Sequence, residues 1–247
     1  SGVISGDTAL TKAGSGQLTT SANNTYTGGT TVSAGTLFGG AASRSNDVFG
    51  TGSISVASGA TLWVDRIDDG ALTNALTLNG GTLRGTNGFG QYWDGNITLG
   101  AHSTIKAANN FYIDGVISGS SKNLTKTGTG TVILRGTNTY SGTTTVSAGT
   151  LNIGGSGSLG SGTYAGNISN SGTFTYASST AQTLSGVISG SGAVVSSGSG
   201  AVTLSGTNTY TGTTTITGGG NLVGGNIAAF GGVLSPTIIS NSTSDQF

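Results

Sequence analysis

The chain has 247 residues, of which 48 are Gly, 42 Thr, 34 Ser and 18 Asn, and only 6% are charged; an ordinary globular chain carries about 25% charged residues and about 7% Gly. Eight basic residues balance eight acidic ones, all Asp, so no net field draws in nucleic acid or anionic lipid. The absence of Cys excludes disulfides, thiolate metal sites and cysteine nucleophiles, helix-forming runs are scarce, and no apolar run approaches the roughly 18 residues of a membrane span.

Disorder is disfavoured by an apolar share of 34% with zero net charge. In chain order, GVISG at 2–6 is followed by LTKAGSG at 10–16, QLTTSA at 17–22, NTYTG at 24–28 and TVSAGTL at 31–37. Three pairs of short alternating strands come next, SISVASGATLWV at 53–64, ALTLNGGTLRG at 75–85 and NITLGAHSTIKA at 96–107, each joined by small residues. GVISG returns at 115–119, and LTKTGTGTVILRGTNTYSGTTTVSAGTL fills 124–151. ISNSGTFTY at 168–176 and GVISG at 186–190 continue the rhythm, and AVTLSG, NTYTG and TITGGGNL at 201–222 form a third copy that lacks the Lys.

Val32, Ile54, Leu76 and Ile97 recur at steps of about one coil, 21 to 22 residues. A unit of that size cannot bury its own apolar face; it does so by stacking on a copy of itself. The expected fold is therefore all-β, a single-stranded parallel β-helix of about 11 coils with a rise of roughly 4.8 Å each. Val, Ile and Leu should point inward, and Thr and Ser outward. Residues 1–225 are expected to form the β-helix, and residues 226–247, which contain Pro236, a C-terminal cap or a truncated next coil. The start at Gly2 falls within a repeat, which predicts further chain before it.

The pattern LTKxGxGxxxLxGxNTYxGxTTVxAGTL at 124–151, less closely at 10–37 and 194–222, resembles the autotransporter-associated beta strand repeat, also called the passenger-associated transport repeat. That resemblance implies a right-handed β-helix in the passenger of a bacterial surface protein exported by a type V route. It also implies a stalk that supports adhesion, aggregation or biofilm formation, located at the cell surface or outside the cell. With no signal peptide or translocator barrel in the sequence, the expected identity is a passenger segment or a related surface protein exported differently.

Asn24, Asn138 and Asn208, with Tyr26, Tyr140 and Tyr210, occupy equivalent NTY triplets. Their expected roles are structural: Asn satisfying turn backbone through Asx-type bonds, and Tyr packing at a corner with its hydroxyl partnered. The least repetitive stretches, 63–69 and 84–94, gather Trp63, Asp65, Arg66, Asp68, Asp69, Arg84, Phe89, Tyr92, Trp93 and Asp94. Loops that leave a solenoid often bind ligands, so these residues form a candidate patch for a host or bacterial surface glycan or a protein; the plainer reading is a loop folded back on the rod. Lateral self-association of the Thr-rich faces is a further possible partnership. A hydrolase would need two carboxylates at about 5–9.5 Å, and no convincing pair is legible; a carbohydrate-active enzyme is the least favoured reading. His102 reads as a corner residue. GGSGS at 154–158 and GGNI at 224–227 lack the Asp of calcium-binding repeats, so neither metal nor cofactor is expected.

Overall fold

The computed structural model describes residues 2–40, 47–65, 71–86, 91–231 and 237–240. Short runs of β-branched and aliphatic residues alternate with Thr and Ser, and each run forms a strand of two to six residues. Glycine and Asn interrupt every run before it can lengthen. The chain therefore turns three times per coil and winds as a right-handed parallel β-helix of about ten turns, the hand taken by nearly all crossovers between parallel strands. Length alone predicts eleven because it counts the flanks as coils.

Three faces result. Face one carries Leu10–Lys12, Thr30–Val32, Ile54–Ala57, Leu76–Asn79, Ile97–Leu99 and Ile117–Ser118, bonded in that order. It continues through residues 138–140, where the Thr139 and Tyr140 amides donate to Ile117 O at 2.8 and 3.2 Å. It then runs on as Thr163–Tyr164, Gln182–Leu184, Ala201–Leu204 and Asn221–Gly224. Face two runs from Gln17–Thr20 through Thr36–Gly40, Thr61–Asp65, Thr82–Gly85, Ser103–Ala107, Leu124–Thr127, Thr144–Val146 and Ile168–Asn170 to Ile188–Ser189. Face three runs from Gln91–Trp93 through Phe111–Ile113, Thr131–Leu134, Thr150–Gly155, Thr173–Ser178, Ala193–Ser196 and Thr214–Thr217 to Thr237–Ser240.

Among the described residues every pairing between strands is parallel, and register measures the coil. Leu10 pairs with Thr30, Thr30 with Ile54, Ile54 with Leu76, Leu76 with Ile97 and Ile97 with Ile117, so one turn takes 20 to 24 residues. Register also stacks like on like. Val32, Val56, Leu78 and Leu99 form one interior ladder. Leu37, Leu62, Leu83 and Ile105 form a second, and Ile113, Leu134, Ile153 and Tyr176 a third. All twelve are at 2% exposure or less, and each contributes about 1.5–3 kcal/mol by leaving water.

The corners set which glycines are obligatory. Gly149 has φ +65, and a β-carbon there would lie 2.4 Å from Gly130 O and 2.5 Å from Lys126 Nζ. Gly59 has φ +75 but faces open space. Gly59→Ala is thus expected to cost only the left-handed backbone penalty, about 1–2 kcal/mol, whereas Gly149→Ala adds a backbone clash and should cost clearly more, about 3 kcal/mol or above. Denaturant unfolding of the two variants measures the difference.

Candidate functional site

The repeated segments are longer than one coil. Each contributes two strands, the NTY corner, and two more strands that lie directly over the first two. Thus Leu10–Lys12 pairs with Thr30–Val32 and Gln17–Thr20 with Thr36–Gly40. Leu124–Thr127 pairs with Thr144–Val146, and Thr131–Leu134 with Thr150–Gly155. Ala193–Ser196 pairs with Thr214–Thr217, and Ala201–Leu204 with Asn221–Gly224. Each copy closes a coil upon itself. The three copies begin on faces one, two and three respectively, so the NTY triplets sit on three different faces.

Their local geometry is nevertheless the same. Tyr26, Tyr140 and Tyr210 point into the core, fully buried, and their hydroxyls pair with Thr30, Thr144 and Thr214 at 2.5, 2.8 and 2.6 Å. The asparagines do not make the simple Asx turns expected from sequence. Asn24, Asn138 and Asn208 Oδ1 accept the amides of Ile4, Ile117 and Ile188 in the preceding coil at 2.9, 2.9 and 2.7 Å. Their Nδ2 groups donate to the carbonyls of Val48, Ser158 and Ala229 in the following coil at 2.8, 3.1 and 2.5 Å. Each amide therefore ties three coils at a corner where the ladder hydrogen bonds stop. His102 also bridges coils, its Nδ1 accepting the Asn123 amide at 2.9 Å.

Tyr164 joins the second triplet. Its ring meets Tyr140 edge-on at 5.7 Å, and its hydroxyl pairs with Thr144 at 2.7 Å and donates to Gly142 O. Burial pushes the Tyr164 phenol up to about 12 and the Tyr140 phenol well above its ordinary value of 10.0. Both are neutral in the fold, so their stabilisation is complete below pH 10.0, the unfolded value, and is lost as pH rises toward about 12. A thermal melting series across that alkaline window is expected to fall more gently for the Tyr140→Phe/Tyr164→Phe variant than for the wild type.

Sequence reasoning missed the role of two buried lysines. Lys126 interrupts the face-two aliphatic ladder between Ile105 and Val146 and is 1% exposed. Its ammonium donates to Gly128 O, Gly130 O and Ala148 O at 2.6, 2.6 and 2.8 Å. Lys12 repeats the device with Ala13 O, Gly14 O and Ala34 O at 2.9, 2.7 and 3.0 Å. Burial pulls Lys126 from its ordinary 10.5 to about 8, which leaves it charged at neutral pH with three protons for three carbonyls. The signal lay in LTK recurring at 10–12 and 124–126, with Lys at an inward position of the alternation. Ser196 holds this place in the third copy, with its hydroxyl buried and unpartnered. Lys126→Met should destabilise by about 2–3 kcal/mol by orphaning the carbonyls. Ser196→Lys, beside Gly218 and Gly219, should raise stability by about 1 kcal/mol; denaturant midpoints check both.

The residues singled out as a binding patch divide between two faces. Trp63 lies on face two, between Phe38 (ring centroids 4.4 Å apart) and the Arg84 guanidinium (3.9 Å from the ring centre). Its indole N–H donates to Thr86 Oγ1 at 2.7 Å. Both ring faces and the N–H are thus occupied. Asp65 ends the same strand, paired with Gly40. Trp93 belongs to no surface patch: the strand Gln91–Trp93 turns it inward, fully buried. Arg66, Asp68, Asp69 and Phe89 lie outside the described residues.

Tyr92 projects outward on face three and stacks on Tyr112 of the next coil, centroids 4.7 Å apart and planes 8° from parallel. Arg135 packs against both rings, 5.2 and 4.8 Å from their centres. It also forks onto Asp114, Nε to Oδ1 at 2.6 Å and Nη2 to Oδ2 at 2.5 Å. Asp94 stands beside them, its carboxyl raised first by burial and next by the Asp114 charge. Asp94 and Asp114 are carboxylates on neighbouring coils, but both Asp114 oxygens are engaged by Arg135. No cluster of three potential metal ligands occurs among the described residues.

The passenger-associated-transport-repeat family matches residues 10–37, 124–153 and 194–220. These are the three segments that close coils on themselves. The chain is 39% identical over 147 residues to the adhesin BmaC autotransporter of Brucella suis biovar 1 (strain 1330). The match takes in 57% of this chain and spans about 4% of that protein. No solved structure matches. The chain is a parallel β-helix that carries passenger-associated transport repeats and is related over part of its length to an autotransporter adhesin.

Proposed function

We propose that this chain is a stalk segment in the passenger of a secreted bacterial surface adhesin, working outside the cell to hold adhesive or aggregating surfaces away from the membrane. The observation that carries this reading is the unbroken register of three parallel faces through about ten turns. Such stacking yields a stiff rod of about 50 Å whose coils each depend only on their neighbours. Low charge and the absence of cysteine suit passage of an unfolded chain through a narrow pore. The self-pairing repeats suit coil-by-coil folding after exit, since each brings both halves of a coil contact in one segment. No described helix is long and apolar enough to cross a membrane. Residues 226–247 are read as continuing the rod, because Thr237–Ser240 adds in parallel to Thr214–Thr217. The reading is non-enzymatic: Asp114 is held by Arg135 and is not free to act as a nucleophile.

Register supplies the test. Val194 pairs with Thr214 and Val202 with Leu222, so deletion of residues 194–213 removes one coil in phase. Displayed on bacteria through a translocator barrel, the shortened chain should reach the surface, resist protease and support adhesion like the full chain. Deletion of 194–203 breaks phase and should lose protease resistance. An in-phase deletion that is displayed and folded but no longer adherent would overturn the stalk reading.

A further inference from the structure

We propose that face three carries a saccharide-binding groove between Tyr112 and Asn152, selective for the neutral sugars of a cell-surface glycan. It is independent of the stalk reading, since it concerns side chains that contribute nothing to the interior.

The groove, about 480 Å³, is lined by Tyr112, Ile133 and Asn152 along its middle row, with Asn110 on one side and Arg135 on the other. Register aligns the middle row: Tyr112 pairs with Ile133, and Ile133 with Asn152. Most outward rows of this rod are Thr and Ser, so an aromatic, an aliphatic and an amide in sequence depart from the surface rule. The room comes from Gly154, Gly155 and Ala177, small residues in the coils beyond Arg135.

Four properties select the ligand. Tyr92 covers one side of Tyr112, while Tyr112 itself lines the groove; this is the arrangement that receives the C–H face of a pyranose. Asn152 Oδ1 is out of contact with water and has no hydrogen-bond partner in the protein, so it asks for a donor such as a sugar hydroxyl. The Arg135–Asp114 fork is fixed by two hydrogen bonds and by both tyrosine rings, and a pre-organised charged fork binds adjacent hydroxyls without paying for ordering. Arg135 and Asp114 cancel in charge and Asp94 leaves a net negative edge, which disfavours sialylated and sulfated sugars. The coil rise of roughly 4.8 Å is also about the advance of one pyranose in an extended chain, so successive sugars can lie along successive coils. Trp63 offers none of this, because both of its faces are covered.

The test is a titration of the folded chain with neutral oligosaccharides and with sialylated and sulfated ones, followed by amide chemical shifts. Expected are shifts confined to residues 110–155 with neutral sugars alone. Tyr112→Ala should weaken binding by about tenfold or more, Ala177→Leu should block the groove, and Trp63→Ala should leave affinity unchanged. Asn152→Ala separates a binding role from a structural one: it removes an unpartnered buried atom, so it should preserve or raise the melting temperature while weakening binding. No shift with any neutral oligosaccharide, preference for anionic sugars, or full affinity in Tyr112→Ala would overturn the proposal.

Discussion

Parallel stacking of one coil on the next is the constraint from which everything else here follows. A three-sided coil of 20 to 24 residues has one apolar lining and no second layer to cover it. It is stable only when the coil above places the same residue type over the same spot, because that alignment removes apolar area from water and completes the backbone hydrogen bonds together. The ladders of Val, Leu and Ile are the direct result. So is the cost of a slip, since a one-residue shift would turn the lining outward.

Straight runs satisfy themselves through the ladders; corners do not. At the corners the chain spends its polar inventory. Asn24, Asn138 and Asn208 each join three coils. The buried tyrosine hydroxyls pair with Thr four residues on. Lys12 and Lys126 fill corner carbonyls with an ammonium. The same solution appears on three different faces because the sides of a triangular coil are alike to a segment that spans four of them. A repeat longer than one coil also holds both partners of a strand pairing, which shortens the loop that must close when that pairing forms.

Function is thereby separated in space from stability. The interior and the corners consume the residues that recur, and the outward rows are free to vary. On face two the variation is self-contained, with Phe38, Trp63, Arg84 and Thr86 satisfying one another. On face three it leaves an open groove beside Tyr112, with an amide oxygen lacking a partner.

The sequence by itself determined the architecture: glycine-punctuated alternation, steps of 21 to 22 residues between Val32, Ile54, Leu76 and Ile97, and three NTY-bearing segments. These are local or periodic signals, and a one-dimensional fold turns them into shape with little further information. Only the tertiary structure decided which side chains meet. Strand phase sends Trp93 inward and Tyr92 outward, although they are neighbours in the chain. Coil register brings Tyr92 to Tyr112 and Asp114 to Arg135, partners about one turn apart that no motif links. The inward turn of Lys126 among aliphatic residues rests on carbonyls that converge only once the coil has closed. Contacts between coils depend on the exact residue count of each turn, and that count varies from 20 to 24 along the rod.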